Sequence, residues 1–286
     1  MNLAKNRGKK PLPQVGWRAC LKLGFAANDG RTVLADRSHS GPLRVQRPFY
    51  PEGVAGPCHV YLLHPPGGVV GGDELNININ VQPGANALIT TPAANKFYRS
   101  AGATAVVAQT LSVADGGSLE WLPQDNIVFS GAMARQRTRV DLAGTASFIG
   151  WEITSLGRPA AGELFARGDF DTKLELWRDG RPLLIERTNL AAPGAMFAAP
   201  WGLNGATVFG TLVCVGKFVD AVGVLRRQWE NRNIDCMTVT QLDQVLVCRY
   251  LGDRADHARD LLNEAWTVLR PLALGREAHA PRIWAT

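Results

Sequence analysis

Residues 62–81 read LLHPPGGVVGGDELNININV, and they put a histidine, two prolines, four glycines and an Asp-Glu pair side by side. Three readings are open: a phosphate-cradling loop, a metal site, or a turn between strands. A phosphate loop needs Gly-x4-Gly-Lys-Ser/Thr at the start of a helix, so that backbone N–H groups and a lysine meet the phosphates. Here the glycines run into Asp73-Glu74 and then into alternating residues, so two carboxylates stand where an anion would sit. A dinucleotide fingerprint also opens a helix, and it fails for the same reason. Metal ligation would call on Cys58, His59 and His64. On one strand, His59 and His64 are an odd number of positions apart and point to opposite faces. His257 and His279 complete no HxxxH or HxxE spacing.

Nucleophilic catalysis has no Gly-x-Ser-x-Gly elbow to support it, and nothing marks Ser130 as activated. A carboxylate pair remains a possible hydrolytic centre, because β enzymes often set two acids across a cleft. Two acids stand out. Glu152 in SFIGWEITSLG and Glu186 in RPLLIERTNL both lie inside apolar, strand-like segments. Counting by two, Glu152 shares a face with Gly150 and Thr154, and Glu186 with Leu184 and Thr188. Either acid faces solvent, or it is interior. An interior acid costs several kcal/mol unless hydrated, paired or metal-bound, which would suggest a water-filled passage.

The elements that must hold these residues are mostly strands. Period-2 alternation runs through VGWRACLKLGF, ELNININV, TAVVAQTLSV, SLEWL, RQRTRVDL and ASFIGWEIT. Asp179-Gly180, between LELWR and RPLLIE, predicts a hairpin with a type I′ turn. Strand runs every 8–12 residues or so, set apart by Gly, Pro, Asn and Asp, argue for stacked, mainly antiparallel sheets. The last third changes character. A helix is expected to open near Phe218, and two β runs follow at 236–240 and 244–251. A second helix carries the stripe Ala258, Leu261, Leu262, Ala265, Trp266 and Leu269, with Asp253 as its N-cap and Pro271 ending the clean pattern. Residues 1–14 read as a flexible basic tail, and residues 15–286 as one domain.

Composition narrows the class. The chain has 286 residues, 46% of them hydrophobic, which is globular. No run approaches the ~18 apolar residues of a membrane helix. The basic start has no apolar stretch after it, so it does not read as a secretory signal. Net charge is +6, most of it from the four lysines and arginines among the first ten residues. No basic stripe with interleaved aromatics points to nucleic acid. Five cysteines without a CxxC read as reduced core thiols of a cytoplasmic protein.

A longer series of motifs adds to this reading. HPPGGVVGGD (64–73), TTPAANKFYRS (90–100), LEWLPQDNIVFSGA (119–132), GWEITSLGRPAAGE (150–163) and APRIWAT (280–286) resemble, in order, the urease accessory protein UreD family, called UreH in some organisms. The match runs from about residue 15 to the end. The resemblance implies a largely β fold, with stacked sheets in a helix-like arrangement and two α-helices. It implies a scaffold rather than an enzyme, working with UreF and the GTPase UreG on urease apoprotein, with UreE commonly supplying the nickel. It implies no tightly bound cofactor, only nickel in transit through an internal passage. Matched by motif, Asp73, Asn95, Glu152 and Glu186 are the candidates for its wall. Carboxylates in a wet passage hold Ni²⁺ more weakly than a thiolate or multi-histidine cage, as transit requires. The family pattern has Ser or Thr where this chain has Asn95. An amide can line a wet passage, but it supplies no hydroxyl.

Overall fold

The computed structural model describes residues 16–285, so the tail read at 1–14 lies outside the described residues, as does Thr286. The chain opens with an antiparallel pair, β1 (Arg18–Asn28) and β2 (Arg31–Ser40), and a short edge strand, β3 (Arg44–Val45). It then winds as a flattened coil whose main strands fall alternately on two sheets. These are β4 (Cys58–Leu63), β5 (Glu74–Val81), β6 (Asn86–Thr90), β7 (Asn95–Phe97), β8 (Ala105–Val113) and β9 (Ser118–Leu122). There follow β10 (Asn126–Val128), β11 (Met133–Leu142), β12 (Ser147–Arg158), β13 (Glu163–Leu164) and β14 (Gly168–Arg178). The remainder is β15 (Arg181–Ala192), the one-turn helix α1 (Ala195–Ala198), β16 (Val208–Val215), α2 (Val219–Glu230), β17 (Met237–Leu242), β18 (Val245–Gly252) and α3 (Ala255–Leu274).

The first sheet has the order β15-β14-β11-β8-β5-β1-β2, and the second has β17-β18-β16-β12-β9-β6-β4-β3 along its main path. The fold is mainly β with solenoid-like stacking, and its two long helices come late. Pairing differs from the mainly antiparallel expectation. Strands β1, β5, β8, β11 and β14 pair in parallel, as do β4, β6, β9 and β12, and antiparallel pairs close the ends. Successive main strands of the coil lie on opposite sheets, so sheet neighbours are separated by a full turn of chain. Alternation in sequence gives no sign of that.

One core lies between the sheets, built from residues such as Leu21, Ile79, Leu111, Val140 and Phe170. A second lies between the outer face of the second sheet and helices α2 and α3, around Trp151, Leu225 and Trp266. Strands β9 and β12 are therefore covered on both faces. The Asp179-Gly180 turn has φ of 48° and 75°, as a type I′ turn requires. Helix α3 starts without the expected cap. Arg254 holds the N-cap position, and the Asp253 carboxylate instead accepts the Thr207 N–H at 3.1 Å. The helix also passes through Pro271 and ends at Gly275 in the left-handed region. A proline so near the C-terminus forfeits one backbone bond, which does not outweigh the packing of the last turn.

Candidate functional site: two interior cavities and the acids between the sheets

The 62–81 stretch is a strand, a turn and a strand. The Gly67 N–H donates to the His64 carbonyl at 2.8 Å, with Gly67 at φ 76°. A Cβ at Gly68 would lie 2.3 Å from the Tyr98 ring, so only glycine lets the loop seat there. Asp73 then fastens the loop. Its two carboxylate oxygens accept backbone N–H groups from Trp17 at 2.8 Å and Val70 at 2.9 Å, and the residue is 6% exposed.

Beside this loop lies a cavity of about 490 Å³. Its wall is largely apolar, with His64, Thr91, Asn95, Lys96, Gln109, Gln124, Asn126 and Gln136 as polar members. Asn95 donates to the Asn126 amide oxygen at 3.1 Å across the parallel pair β7–β10. Three residues of this wall carry a buried polar atom without a hydrogen-bond partner: His64 Nδ1, Trp121 Nε1 and Gln136 Oε1. Buried polar atoms are seldom left so, and unpartnered ones clustered on one cavity mark it as a place for water or another polar occupant. Burial pushes the His64 imidazole below its usual range, against the opposing charge of Asp73.

A second cavity, of about 230 Å³, opens to the surface between the sheets, with the exposed Arg249 and Leu251 on its rim. Register explains its wall. Glu152 on β12 stands beside Thr211 on β16, and Thr211 beside Arg249 on β18, so the three form one row across the second sheet. Glu186 joins them from β15 of the facing sheet and accepts the Arg249 guanidinium at 2.7 and 3.0 Å. Glu152 and Glu186 thus share one cavity wall. The outward-facing alternative for Glu152 is corrected here: one face of β12 lies against the α3 side and the other against the first sheet. Burial raises the Glu152 pKa and the nearby Glu186 charge adds to it, against hydrogen bonds from Thr138 and Gln136. The Thr138 hydroxyl reaches both Glu152 Oε1 and, at 2.7 Å, Gln109 Oε1. One hydroxyl gives one proton. It donates to one of these oxygens at a time, and the other contact takes a proton from the Glu152 carboxyl or from the Gln109 amide turned over.

Asn95, Glu152 and Glu186 therefore line the interior cavities, Asn95 the larger and the two acids the smaller, while Asp73 lines neither. Among the described residues, no group of three or more His, Cys, Asp and Glu side chains is placed to hold a metal ion. What the two walls offer instead is a spread of single oxygen acceptors, with Lys96 on the larger and Arg249 on the smaller.

The sequence profile of the UreD urease accessory protein family matches residues 18–285. The chain belongs to that family. It is 46% identical to the urease accessory protein UreD of Azoarcus sp. (strain BH72) over 273 residues, covering 96% of this chain and 95% of that one. It is 47% identical to the UreD of Pseudoalteromonas translucida over 278 residues, covering 94% and 91%. It is 46% identical to the UreD of Chromohalobacter salexigens over 287 residues, covering 94% and 89%.

This UreD-family chain also holds a buried ionic cluster that sequence reasoning missed. Glu120 on β9 accepts the Trp266 indole N–H at 2.8 Å and the Arg270 guanidinium at 2.9 and 3.0 Å. Arg270 also reaches Glu52 at 2.7 Å, and Glu52 meets His59 Nε2 at 2.8 Å. So His59 belongs to this cluster and His64 to the cavity, in keeping with their parity. The available signal was Arg270 itself, one turn after Trp266 within the apolar stripe of α3. The C-terminal segment joins the same region. Trp284 donates to Thr90 Oγ1 at 2.9 Å and packs on Trp151 and Trp266. The five cysteines are free thiols. Burial pushes the Cys214 thiol well up and the Cys248 thiol up to about 12, which favours the neutral thiol at both.

Proposed function

We propose that this chain is a non-catalytic scaffold of urease maturation in the cytoplasm. In this reading it works with UreF and, through UreF, the GTPase UreG, docks on urease apoprotein, and conducts nickel to the urease active site. UreE is the nickel supplier. The observation that carries the reading is the pair of interior cavities, the larger holding Asn95 and the smaller Glu152 and Glu186. Isolated carboxylate and amide oxygens along a wet interior bind Ni²⁺ weakly enough to release it. Glu152, half-buried and hydrogen-bonded to the neutral Thr138, has no cation bonded to it and gains one when nickel arrives. Asp73 serves the passage by holding the loop that carries His64. Trp201 is 73% exposed and lies two positions before Leu203 of the smaller cavity's wall, and an aromatic so placed suits a partner that covers that end. Among the described residues no helix is long and apolar enough to cross a membrane.

The test is nickel loading of urease apoprotein by the assembled maturation proteins. Glu152→Ala and Glu186→Ala are expected to lower nickel incorporated per urease while leaving the chain folded and bound to UreF. Loading at the wild-type rate by both variants would remove the passage assignment, and absence of binding to UreF and to urease would remove the scaffold itself. Two carboxyl groups on one cavity wall, one with a raised pKa, also favour a second reading, a hydrolase using a carboxylate pair. Turnover of a small glycoside by the isolated chain, abolished by Glu152→Gln, would establish that instead.

A further inference from the structure

Two rows of side chains face each other across the smaller cavity. On the second sheet, Glu152, Thr211 and Arg249 stand in register on β12, β16 and β18. On the first sheet, Thr138, Leu174 and Glu186 stand in register on β11, β14 and β15. The rows meet at both ends. Thr138 bonds Glu152 at the inner end, and Glu186 bonds Arg249 at the outer end, where β15 is the edge strand of its sheet. Leu174 and Thr211 lie between, and with the two glutamates and Arg249 they line the cavity. The space is thus bounded by two bridges between the sheets, a hydroxyl–carboxyl bond inside and an ion pair at the rim.

The ion pair is one that opens easily. Both Arg249 donors, Nε at 3.0 Å and Nη2 at 2.7 Å, go to one oxygen of Glu186, Oε1, so the pair is not the two-oxygen fork that arginine and carboxylate can form. Among the described residues, no other group hydrogen-bonds either side chain. The Arg249 side chain is 44% exposed and the Glu186 side chain 28%. Such pairs are worth little, because water competes for both charges. Arg270 is the contrast: its side chain is fully buried and is shared between Glu120 and Glu52. Arg249 is also the one cation among the described residues of this cavity's wall. Without it the empty cavity would hold two carboxyl groups and no opposite charge.

We propose that Arg249 is the resident cation of this cavity, seated on Glu186 until a divalent metal ion replaces it. Metal passage at the rim is then an exchange. Glu186 goes from the guanidinium to the metal, Arg249 turns out to solvent, and Glu152 stands next along the cavity wall. A single positive charge gains no more on Glu186 than the guanidinium gives up, whereas a double charge does. Exchange therefore favours Ni²⁺ over monovalent ions. The proposal rests on the nickel-passage reading and adds the group that the metal must displace.

The experiment uses the full-length chain in complex with its maturation partners, as wild type, Arg249→Gln, Arg249→Lys, Glu152→Ala and Glu186→Ala. Nickel incorporated into urease apoprotein is followed against time over a range of Ni²⁺ concentrations, with melting temperature and co-elution as controls for folding and assembly. Removing the resident charge leaves no ion pair to break, so Arg249→Gln is expected to reach its half-maximal rate at about fivefold lower Ni²⁺. Lysine restores a single charge that can seat on one oxygen, and Arg249→Lys is expected to stay within about twofold of wild type. A merely structural arginine would lower the maximal rate in Arg249→Gln and leave the half-maximal concentration unchanged. Should glutamine impair folding, Arg249→Met keeps the apolar stem and takes its place. A crystal structure of the complex soaked in Ni²⁺ is expected to show the metal on Glu186 and Arg249 turned away. An unchanged or higher half-maximal concentration in Arg249→Gln, or the metal on Glu186 with Arg249 still bonded to it, would overturn the exchange. If Glu152→Ala and Glu186→Ala lose loading while Arg249→Gln keeps the wild-type half-maximal concentration, the passage stands and only the exchange falls. If both glutamate variants load as wild type does, the passage reading falls with it.

Discussion

Two glutamates on the second sheet, Glu120 buried and Glu152 half-buried, make opposite uses of the same chemistry. Glu120 faces α3, where Trp266 and Arg270 supply donors to its two oxygens and Arg270 supplies the opposite charge. The cluster continues to Glu52 and His59. Burial alone would raise the Glu52 pKa, but the bonds to His59 and Arg270 outweigh it and hold the carboxyl below its usual range. Glu152 faces the other sheet, where its hydrogen-bond partner is the neutral Thr138 and the neighbouring charge it feels, from Glu186, has its own sign. The first site holds its own cation, and of its side-chain atoms only the His59 Nδ1 is buried without a partner. The second has one cation on the same cavity wall, Arg249, and it bonds Glu186 rather than Glu152. A protein that needs rigidity finishes its buried networks. One that passes a cation leaves a vacancy of the right sign.

The comparison breaks first on stability. Arg270→Ala would leave Glu120 and Glu52 buried without their cation, and the expected cost is about 3–5 kcal/mol. Urea unfolding followed by tryptophan fluorescence measures it. A loss below about 1 kcal/mol would mean that the cluster is not the tie between α3 and the sheet that its geometry indicates.

Asp73 is the next test, because the motif match placed it in the passage wall and the structure gives both its oxygens to backbone N–H groups. Asp73→Ala strands two buried donors, and a loss of about 1–3 kcal/mol is expected. Nickel loading should fall only as far as the folded fraction falls. Unchanged stability with reduced loading would return Asp73 to the passage.

Glu152→Gln should do the converse, costing function while relieving the fold. The folded chain holds the Glu152 proton more tightly than the unfolded chain does, since its pKa is raised. Wild-type stability therefore declines as pH climbs from the ordinary carboxylate range towards the raised folded value. The glutamine variant lacks that decline. Its advantage over wild type should be absent in acid and present at neutral pH, while nickel loading drops about tenfold. A variant less stable than wild type at neutral pH would show that the carboxylate there is stabilised by a partner after all.

What could be read from residues alone follows the same division. The strands were legible because alternation is a local property, and β5, β9, β11 and β12 fall where it puts them. Their parallel pairing was not, because period 2 looks alike in either direction and sheet neighbours lie a full turn of the coil apart. Alternation also names two faces without saying what covers them. That is why the interior position of Glu152 stayed open and why Glu120, in SLEWL, passed unnoticed between Leu119 and Trp121. Cover comes from α3, more than a hundred residues later in the chain. Glu152 and Glu186 reached the same list through the motif series. Their shared cavity depends on the row through Thr211 and Arg249, which no spacing predicts.

The smallest expected effect is at Asn95, where the motif resemblance leads one to expect a hydroxyl. Its amide donates to Asn126 across the β7–β10 pair and lines the larger cavity. Asn95→Thr gives up that donor but keeps a polar tip and suits a strand, so stability should change by less than about 1 kcal/mol. Nickel loading should stay within about twofold, because an under-filled wet wall accepts either polar group. Asn95→Leu is the sharper arm. It presents an apolar surface to the cavity and should slow loading where threonine does not, measured in the same urease assay. Equal loading by both would show that the larger cavity's polar wall is tolerant of dewetting at this point, and that what distinguishes the interior from the Glu120 cluster is confined to Glu152 and its neighbours.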